Sequence, residues 1–418
     1  MASAFDSAGQ RCSALRLLCL QEEIAEHTLT MLRGAMAEYR VGNPERLCTD
    51  IGPVIDAEAK KGIEQHIQTL RAQGHSVFQA AREAQQDLQD RAQGTFVLPT
   101  LIELDSASEL QREVFGPVLH VVRYRRETLD HLIRDINAAG YGLTFGVHTR
   151  IDETIARVTA TVQAGNMYVN RNMVGAVVGV QPFGGEGLSG TGPKAGGPLY
   201  LYRLLASRPA NAVLTTLSRL DAQQSDPSQA PEALTSQQEA HAALAVWAQA
   251  RPTLHTLCGQ YRTLAQTGSR RVLTGPTGER NTYSLLARER VLCIADNEED
   301  ALIQLAAITA CGCRALWLDN PLQRELRSKL PPALSTVIDL TNPEQLDSQH
   351  FDAVIFHGDS DQLRIWCSRI AERAGAIISV QGFARGETNL LLERLWVERS
   401  LSINTAAAGG NASLMTIG

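Results

Sequence analysis

The spacing of apolar residues along the first 170 positions predicts strands that alternate with helices. Residues 13–20 are mostly apolar and predict a buried strand, and 22–39 place apolar residues at helical spacing. Asp56 is a suitable N-cap for a second helix that ends before Gly74. Because strands and helices alternate at these lengths, we expect a mostly parallel sheet. Further strands are predicted at 95–104, 118–124 and 167–169, and further helices at 127–138 and 152–162.

The same alternation returns after a change in composition. Residues 206–236 are rich in Pro, Ser, Gln and Ala, which predicts a linker. A helical pair broken at Pro252 follows it, and the pattern beyond is typical of an open, doubly wound α/β sheet. The predicted organisation is therefore a first domain at 1–205, the linker, and a second domain at 237–418. In the second domain, strands are predicted at 271–274, 291–295, 314–318, 337–340, 353–356 and 376–379, and helices at 237–250, 253–267, 298–309 and 361–374.

Composition places the chain among globular proteins. It has 418 residues, 44% of them hydrophobic and 20% charged, with a net charge of −6 that argues against nucleic acid as a partner. We find no apolar run long enough to cross a membrane and no basic start of a signal peptide, so a cytoplasmic location is expected. The eight cysteines lack the spacing of a zinc site, which favours free thiols and no metal.

Cys12 is the first candidate for chemistry. It ends the sequence G-Q-R-C at the point where a turn leads into the first apolar run, a usual position for a nucleophile on a rigid scaffold. Arg11 beside it is expected to favour the reactive thiolate. The alternative is a buried structural cysteine, since lone cysteines commonly pack as small apolar side chains.

Two later motifs favour the catalytic interpretation. They are E-V-F-G-P, which begins at Glu113, and Q-P-F-G-G, which begins at Gln181. In this order the three motifs resemble the catalytic half of the NAD-dependent aldehyde dehydrogenases. Cys12-Ser13 and the runs at 174–179 and 189–198 are similar to the glutamate-semialdehyde (1-pyrroline-5-carboxylate) dehydrogenase branch. Residues 404–415 resemble the end of the bacterial proline utilisation A proteins, so the resemblance covers essentially the whole chain. It implies an aldehyde dehydrogenase catalytic domain followed by a second, aldehyde-dehydrogenase-like α/β domain.

The resemblance implies roles for the residues of the first two motifs. Cys12 would be the nucleophile that attacks the aldehyde. Glu113 would accept hydrogen bonds from the nicotinamide ribose of NAD, and Phe115 would pack near the nicotinamide. The alternatives are an exposed acid at the end of a helix for Glu113 and a core side chain for Phe115.

The resemblance also implies a site for the substrate. Ser13, Gly175 and Ala176 match the residues that grip the carboxylate of L-glutamate semialdehyde, with one hydroxyl and two backbone N–H groups. Phe183 would stack against the aliphatic chain of the substrate. An ordinary turn glycine at Gly175 and plain core packing at Phe183 are the alternatives.

Two glycine-rich stretches have simpler explanations. Residues 185–190 spell G-x-G-x-x-G, but no strand leads directly into them and no helix pattern follows, so the dinucleotide-binding context is missing. Residues 275–279 lack the lysine of a phosphate-binding loop, and a tight turn is predicted there.

The implied reaction is the oxidation of L-glutamate semialdehyde to L-glutamate with NAD+, the second step of proline breakdown. Only eleven residues precede Cys12. The family's dinucleotide-binding domain, general-base glutamate and oxyanion-hole asparagine are therefore expected in an upstream half, together with an FAD-dependent proline dehydrogenase. We expect this chain alone to be inactive, and the family implies a homodimer. The alternative is a non-enzymatic docking or lid module that acts only with the upstream half, suggested by the small, neutral tail at 402–418.

Overall fold

The computed structural model describes residues 1–81, 85–209, 211–221 and 236–406. The chain divides into unit 1 (Met1–Gln163 with Met167–Ala176) and unit 2 (Ala164–Asn166 with Val177–Gly418). Residues 407–418 of the predicted docking tail and residues 210 and 222–235 of the predicted linker lie outside the described residues. The domain division at 205 and 237 stays a prediction. Within the described parts of the chain, every helix is too short or too polar to cross a membrane.

Unit 1 begins with a short helix and then alternates strands with longer helices, as predicted. Its helices are α1 (Ala2–Phe5), α2 (Glu22–Ala37), α3 (Ala57–Ala72), α4 (Gln85–Gln93), α5 (Leu129–Ala138) and α6 (Asp152–Thr161). Its strands are β1 (Leu17–Gln21), β2 (Val77–Gln79), β3 (Thr100–Leu104), β4 (Val118–Tyr124), β5 (Tyr141–Gly142), β6 (Thr144–Val147) and β7 (Asn166–Val169), the last of which begins in unit 2.

The main sheet of unit 1 has the order β1-β4-β3-β2. Strands β1, β4 and β3 are parallel, and β2 is an antiparallel edge strand. The predicted mostly parallel sheet is therefore confirmed. Helix α3 begins where the sequence predicts, because the Asp56 carboxylate accepts a hydrogen bond from the N–H of Ala59 at 2.7 Å.

Unit 2 contains a second α/β series. Its helices are α7 (Ala212–Asp221), α8 (Ser236–Trp247), α9 (Pro252–Leu264), α10 (Glu298–Ala310), α11 (Pro321–Lys329), α12 (Pro332–Ser335) and α13 (Ser360–Ala371). Its strands are β8 (Glu186–Gly187), β9 (Arg270–Leu273), β10 (Glu279–Ala287), β11 (Arg290–Ile294), β12 (Arg314–Leu318), β13 (Ile338–Thr341), β14 (Ala353–His357), β15 (Ser379–Phe383) and β16 (Trp396–Asn404).

The larger sheet of unit 2 is entirely parallel, in the order β13-β12-β11-β14-β15. The chain starts in the centre at β11, builds outward on one side and then returns to build the other side. This is the doubly wound topology that the sequence predicts. Pro252, which interrupts the predicted helical pair, is the first residue of α9, a position where its missing N–H costs nothing.

Strands β9, β10 and β16 pair in antiparallel fashion in a second sheet. The sequence analysis predicts the first of these strands but not the other two. Strand β10 pairs with β16 along its whole length, from the pair Glu279–Asn404 to the pair Ala287–Trp396. The tight turn predicted at 275–279 connects β9 to β10, with the N–H of Glu279 bonded to the carbonyl of Pro276 at 3.1 Å.

Candidate active site

Cys12 lies at the end of a strained loop in unit 1. Ser7, Ala8 and Gly9 have φ angles of +56°, +54° and +66°, a run of left-handed residues that costs free energy at the two that carry a Cβ. A Cβ built on Gly9 would lie 2.1 Å from the carbonyl oxygen of Gly116, so the backbones of the two loops touch there. Cys12 is exposed and forms no disulfide, which contradicts the buried alternative.

Gln10 fixes this loop from the other side. Its side-chain nitrogen donates to the carbonyls of Ser7 at 3.2 Å and Pro53 at 3.3 Å. Its side-chain oxygen accepts from the N–H of Ile55 at 2.8 Å. All parts of the amide are used, which gives a physical reason for a glutamine two residues before the candidate nucleophile.

Arg16 connects the cysteine loop to the E-V-F-G-P motif. Its Nη2 donates to the carbonyl of Arg11 at 3.0 Å, and its Nη1 donates to the carbonyl of Gly9. Its Nε donates to Oε1 of Glu113 at 3.3 Å, and its guanidinium carbon lies 4.5 Å from the centre of the Phe115 ring. The structure therefore brings the first two motifs together through a residue that the sequence analysis did not single out.

The arginine predicted to favour the thiolate is not the one that lies deepest in the site. Arg11 is exposed and donates from Nε to the hydroxyl of Ser7 at 3.0 Å. The side chain of Arg16 is only 11% exposed, and burial lowers its pKa, against the opposing charges of Glu113 and the Cys12 thiolate.

Glu113 and Phe115 both face solvent in part. The Glu113 side chain is 30% exposed and Phe115 is 45% exposed. Neither alternative from the sequence fits: Glu113 belongs to no helix, and Phe115 is too exposed for a core residue. Oε1 of Glu113 is bonded to Arg16, and Oε2 has no hydrogen-bond partner among the described residues.

The segment that carries Gly175 and Ala176 is tied to the cysteine loop within unit 1. The hydroxyl of Ser3 donates to Oδ1 of Asn172 at 3.1 Å, and the carbonyl of Ser3 accepts from the N–H of Leu15 at 2.7 Å. Gly175 has a φ of +82°, and a Cβ there would meet no atom within 4 Å. Gly175 is thus a turn glycine with open space above it.

Three polar groups predicted for the substrate lack partners in the protein. Ser13 is buried, and within the described residues its hydroxyl makes no hydrogen bond. The same holds for the backbone N–H groups of Gly175 and Ala176 in that part of the chain. Ser13 is buried, Ala176 is half-buried and Gly175 is exposed, and donors without protein partners are suited to an anion.

Residues 1–208 match the aldehyde dehydrogenase family. The first half of the chain, residues 1–208, belongs to this family. The chain is similar over its full length to the bifunctional protein PutA of Escherichia coli (strain K12), with 68% identity, and spans 31% of the length of that relative. Over 203 residues, 48% of this chain and 38% of the relative, it is 36% identical to the 1-pyrroline-5-carboxylate dehydrogenase of Geobacillus kaustophilus (strain HTA426).

The solved structure of proline utilization A (PutA) from Corynebacterium freiburgense is similar in fold. It superposes with a TM-score of 0.66 at 23% identity and covers 96% of this chain and 36% of that one. The predicted resemblance and the α/β fold class are therefore confirmed.

The P-F-G-G motif lies in unit 2. Phe183 is half-buried and exchanges two backbone hydrogen bonds with Ala195, at 2.9 and 2.7 Å. The ammonium group of Lys194 donates to Oδ1 of Asn166 at 3.0 Å and to the carbonyl of Gly184. The motif is thus a loop that is held in place by the hydrogen bonds of a buried lysine.

Lys194 belongs to a buried polar network that the sequence analysis missed. Burial lowers the pKa of Lys194 to about 8, opposed by the charges of Glu398 and Glu186. The Glu398 carboxylate accepts from the backbone N–H of Lys194 at 2.8 Å and from the hydroxyl of Tyr283 at 2.6 Å. Burial raises the pKa of Glu398. Lys194, Tyr283 and Glu398 are 89 or more positions apart, and no local pattern indicates their contact.

A buried histidine pair in unit 1 was also missed. Nε2 of His66 lies 2.8 Å from Nε2 of His120, and Nδ1 of His120 lies 3.0 Å from the carbonyl of Arg16. A carbonyl only accepts, so His120 carries its proton on Nδ1, and His66 donates from Nε2. Burial lowers the pKa of His120 to about 4, and the charges of His66 and Arg16 act in the same direction.

Two further groups of side chains are the cysteines of unit 2 and one acidic cluster of unit 1. Four cysteines in unit 2 are buried free thiols, and the described residues of the chain hold one candidate group for a metal ion. It consists of His75, Asp105 and Glu109, whose ligand atoms lie within 4.8 Å of one another. Glu109 already caps a short helix through Ser106, which accounts for its position without a metal.

Proposed function

We propose that residues 1–208 carry the cysteine chemistry of an enzyme that oxidises L-glutamate semialdehyde to L-glutamate in proline breakdown. The observation that carries the proposal is the exposed Cys12 thiol, whose loop is joined through Arg16 to Glu113 and Phe115. The name of the relative from Geobacillus kaustophilus, 1-pyrroline-5-carboxylate dehydrogenase, supports the choice of substrate.

The chemistry assigned to Cys12 is nucleophilic. Its thiolate adds to the aldehyde carbon, which forms a carbon–sulfur bond and places the negative charge on the former carbonyl oxygen. Loss of hydride from that carbon converts the adduct to a thioester. Water then breaks the carbon–sulfur bond, which releases the carboxylate product and restores the thiol.

The residues around Cys12 fit a nicotinamide cofactor. Oε2 of Glu113 is available to accept hydrogen bonds from ribose hydroxyls, and the exposed Phe115 ring offers a flat apolar surface. When bound, NAD+ supplies the hydride acceptor. Glu113 and Phe115 would hold its nicotinamide end.

The substrate carboxylate is assigned to Ser13, Gly175 and Ala176. A hydroxyl and two amide N–H groups without protein partners supply donors and no opposing charge. A five-carbon substrate held between Cys12 and its carboxylate site would leave its methylene groups for an apolar contact. The role of Phe183 in that contact stays a prediction from the sequence.

We further propose that residues 237–418 act as a covering domain in a larger cytoplasmic protein. An upstream half would contribute the dinucleotide-binding domain and an FAD-dependent proline dehydrogenase, and the assembled enzyme would be a homodimer. The similarity of the whole chain to PutA, of which it spans 31%, supports this arrangement.

The test is NAD+-dependent oxidation of L-glutamate semialdehyde, measured for the chain alone and with the upstream part of Escherichia coli PutA added. Cys12→Ser should abolish glutamate formation. Cys48→Ser is the matched control, because Cys48 is another exposed free cysteine of unit 1. Activity that survives Cys12→Ser, or that is missing from both arms, would contradict the proposal. Activity only after addition would mean that the upstream part is required.

A further inference from the structure

Arg16 holds the two loops of the proposed site together. Its guanidinium bonds to two carbonyls that precede the proposed nucleophile, at Gly9 and Arg11, and it also contacts the proposed cofactor residues Glu113 and Phe115. A guanidinium suits this task because its donors lie in one plane with fixed directions, while its face can stack on a ring.

Arg16 is itself held at its other end. Its backbone carbonyl accepts from the N–H of His120 at 3.0 Å and from Nδ1 of the same residue at 3.0 Å. Its side chain is 11% exposed, so the guanidinium has little freedom to leave the site. Arg16 therefore connects strand β4, through its carbonyl, to both loops, through its guanidinium.

The charge of Arg16 also matters for the thiol. A positive guanidinium bonded beside Cys12 favours the negatively charged sulfur.

We propose that Arg16 is a positioning residue, which fixes Cys12 relative to Glu113 and Phe115 and places a positive charge beside the thiolate. The proposal rests on the function proposed above for Cys12 and Glu113. It predicts that a loss of Arg16 changes the reactivity of the thiol and the affinity for NAD+ more than it changes the binding of the aldehyde.

The experiment compares Arg16→Met and Arg16→Lys with the wild-type 418-residue chain. Alkylation of Cys12 by iodoacetamide is followed by peptide mass spectrometry, with Cys48 in the same sample as the internal reference. Arg33→Met is the matched control, because Arg33 also bonds to a carboxylate, at 2.7 Å, and lies 5.9 Å from a phenylalanine ring, away from this site. Circular dichroism establishes that each variant is folded.

We expect Arg16→Met to slow alkylation of Cys12 by about fivefold or more, with Arg16→Lys intermediate because it keeps the charge. In the arm that oxidises the semialdehyde, Arg16→Met should raise KM for NAD+ by about tenfold and change KM for the aldehyde by less than about twofold. The rate at Cys48 and all values for Arg33→Met should stay near those of the wild type.

Unchanged alkylation of Cys12 in folded Arg16→Met and Arg16→Lys would overturn the proposal. An equal change at Cys48 would also overturn it, because it would indicate general loosening. If Arg16→Met does not fold, the alkylation rate of Cys12 in Arg16→Lys tests the proposal. If the wild-type chain oxidises no semialdehyde in either arm, the proposed function fails, and the alkylation rates still decide the role of Arg16.

Discussion

Replacing Gly9 with alanine tests whether the loop of the proposed nucleophile rests directly against the E-V-F-G-P turn. A Cβ at position 9 would lie 2.1 Å from the carbonyl oxygen of Gly116 and 3.0 Å from the carbonyl oxygen of Ala4. Both obstacles are backbone atoms, so neither moves away without displacing a loop. The φ of +66° adds a second penalty, since alanine is strained in the left-handed region.

The expected loss of folding stability is the sum of the steric clash and the backbone strain. A left-handed alanine costs about 1–2 kcal/mol relative to glycine, and forcing an extra carbon into packed atoms costs about 1–3 kcal/mol. Gly9→Ala should therefore lower the free energy of unfolding of unit 1 by about 3 kcal/mol, which corresponds to roughly 6–12 °C in melting temperature for a unit of this size.

Gly34→Ala is the matched control for this substitution. Gly34 lies inside α2, and a Cβ there would meet no atom within 4 Å. Alanine in a helix interior is favoured over glycine by about 0.5–1 kcal/mol, so this variant should be more stable than the wild type. Thermal and urea unfolding followed by circular dichroism measure both effects. A Gly9→Ala chain as stable as the wild type would refute the close contact with Gly116.

Two further predictions concern buried titratable groups. His120 keeps a pKa of about 4 in the folded chain against an ordinary value of 6.5, so the unfolded chain takes up protons first. The free energy of unfolding should be highest above pH 6.5 and should fall by about 3 kcal/mol as the pH is lowered to 4. In urea unfolding measured across this pH range, His120→Gln should show a smaller fall. Lys194→Met removes the ammonium donor from Oδ1 of the buried Asn166, which keeps only the N–H of Gly184, and from the half-buried carbonyl of Gly184. It should therefore lower the free energy of unfolding by about 1–3 kcal/mol. The exposed Lys329→Met should change it by less than about 0.5 kcal/mol in the same urea unfolding assay, and an equal loss in both variants would contradict the role of Lys194.

Periodicity was sufficient for elements whose buried side chains are apolar. Helix α3 and strand β4 lie within a few residues of their predicted bounds, because one face of α3 and nearly all of β4 are buried. The doubly wound sheet of unit 2 follows for the same reason, since its parallel strands are continuous apolar runs.

Strands β10 and β16 were not predicted, because their buried positions include polar residues. Asn281 and Thr282 are buried in β10, and Ser400 and Ser402 are buried in β16. Alternation of apolar and polar residues therefore fails as a signal in both strands. Their pairing joins residues more than 100 positions apart, and a local pattern contains no information about such a partner.

The candidate site shows the same division between residue identity and tertiary contact. The motifs identified Cys12, Glu113 and Phe115, since each has a residue type suited to one chemical task. These residues are joined by tertiary contacts, which the motifs do not contain. One is the backbone contact between Gly9 and Gly116, and the other is the bond from Arg16 to a carboxylate 97 positions away. Arg11 was favoured from the sequence because it is adjacent to Cys12, and adjacency along the chain says little about which side chain turns inward. Arg16 does so because it leads directly into β1, where pairing with β4 fixes its direction toward the second motif. A Cys12–Arg16 spacing therefore gains meaning only when the strand that follows it is also placed.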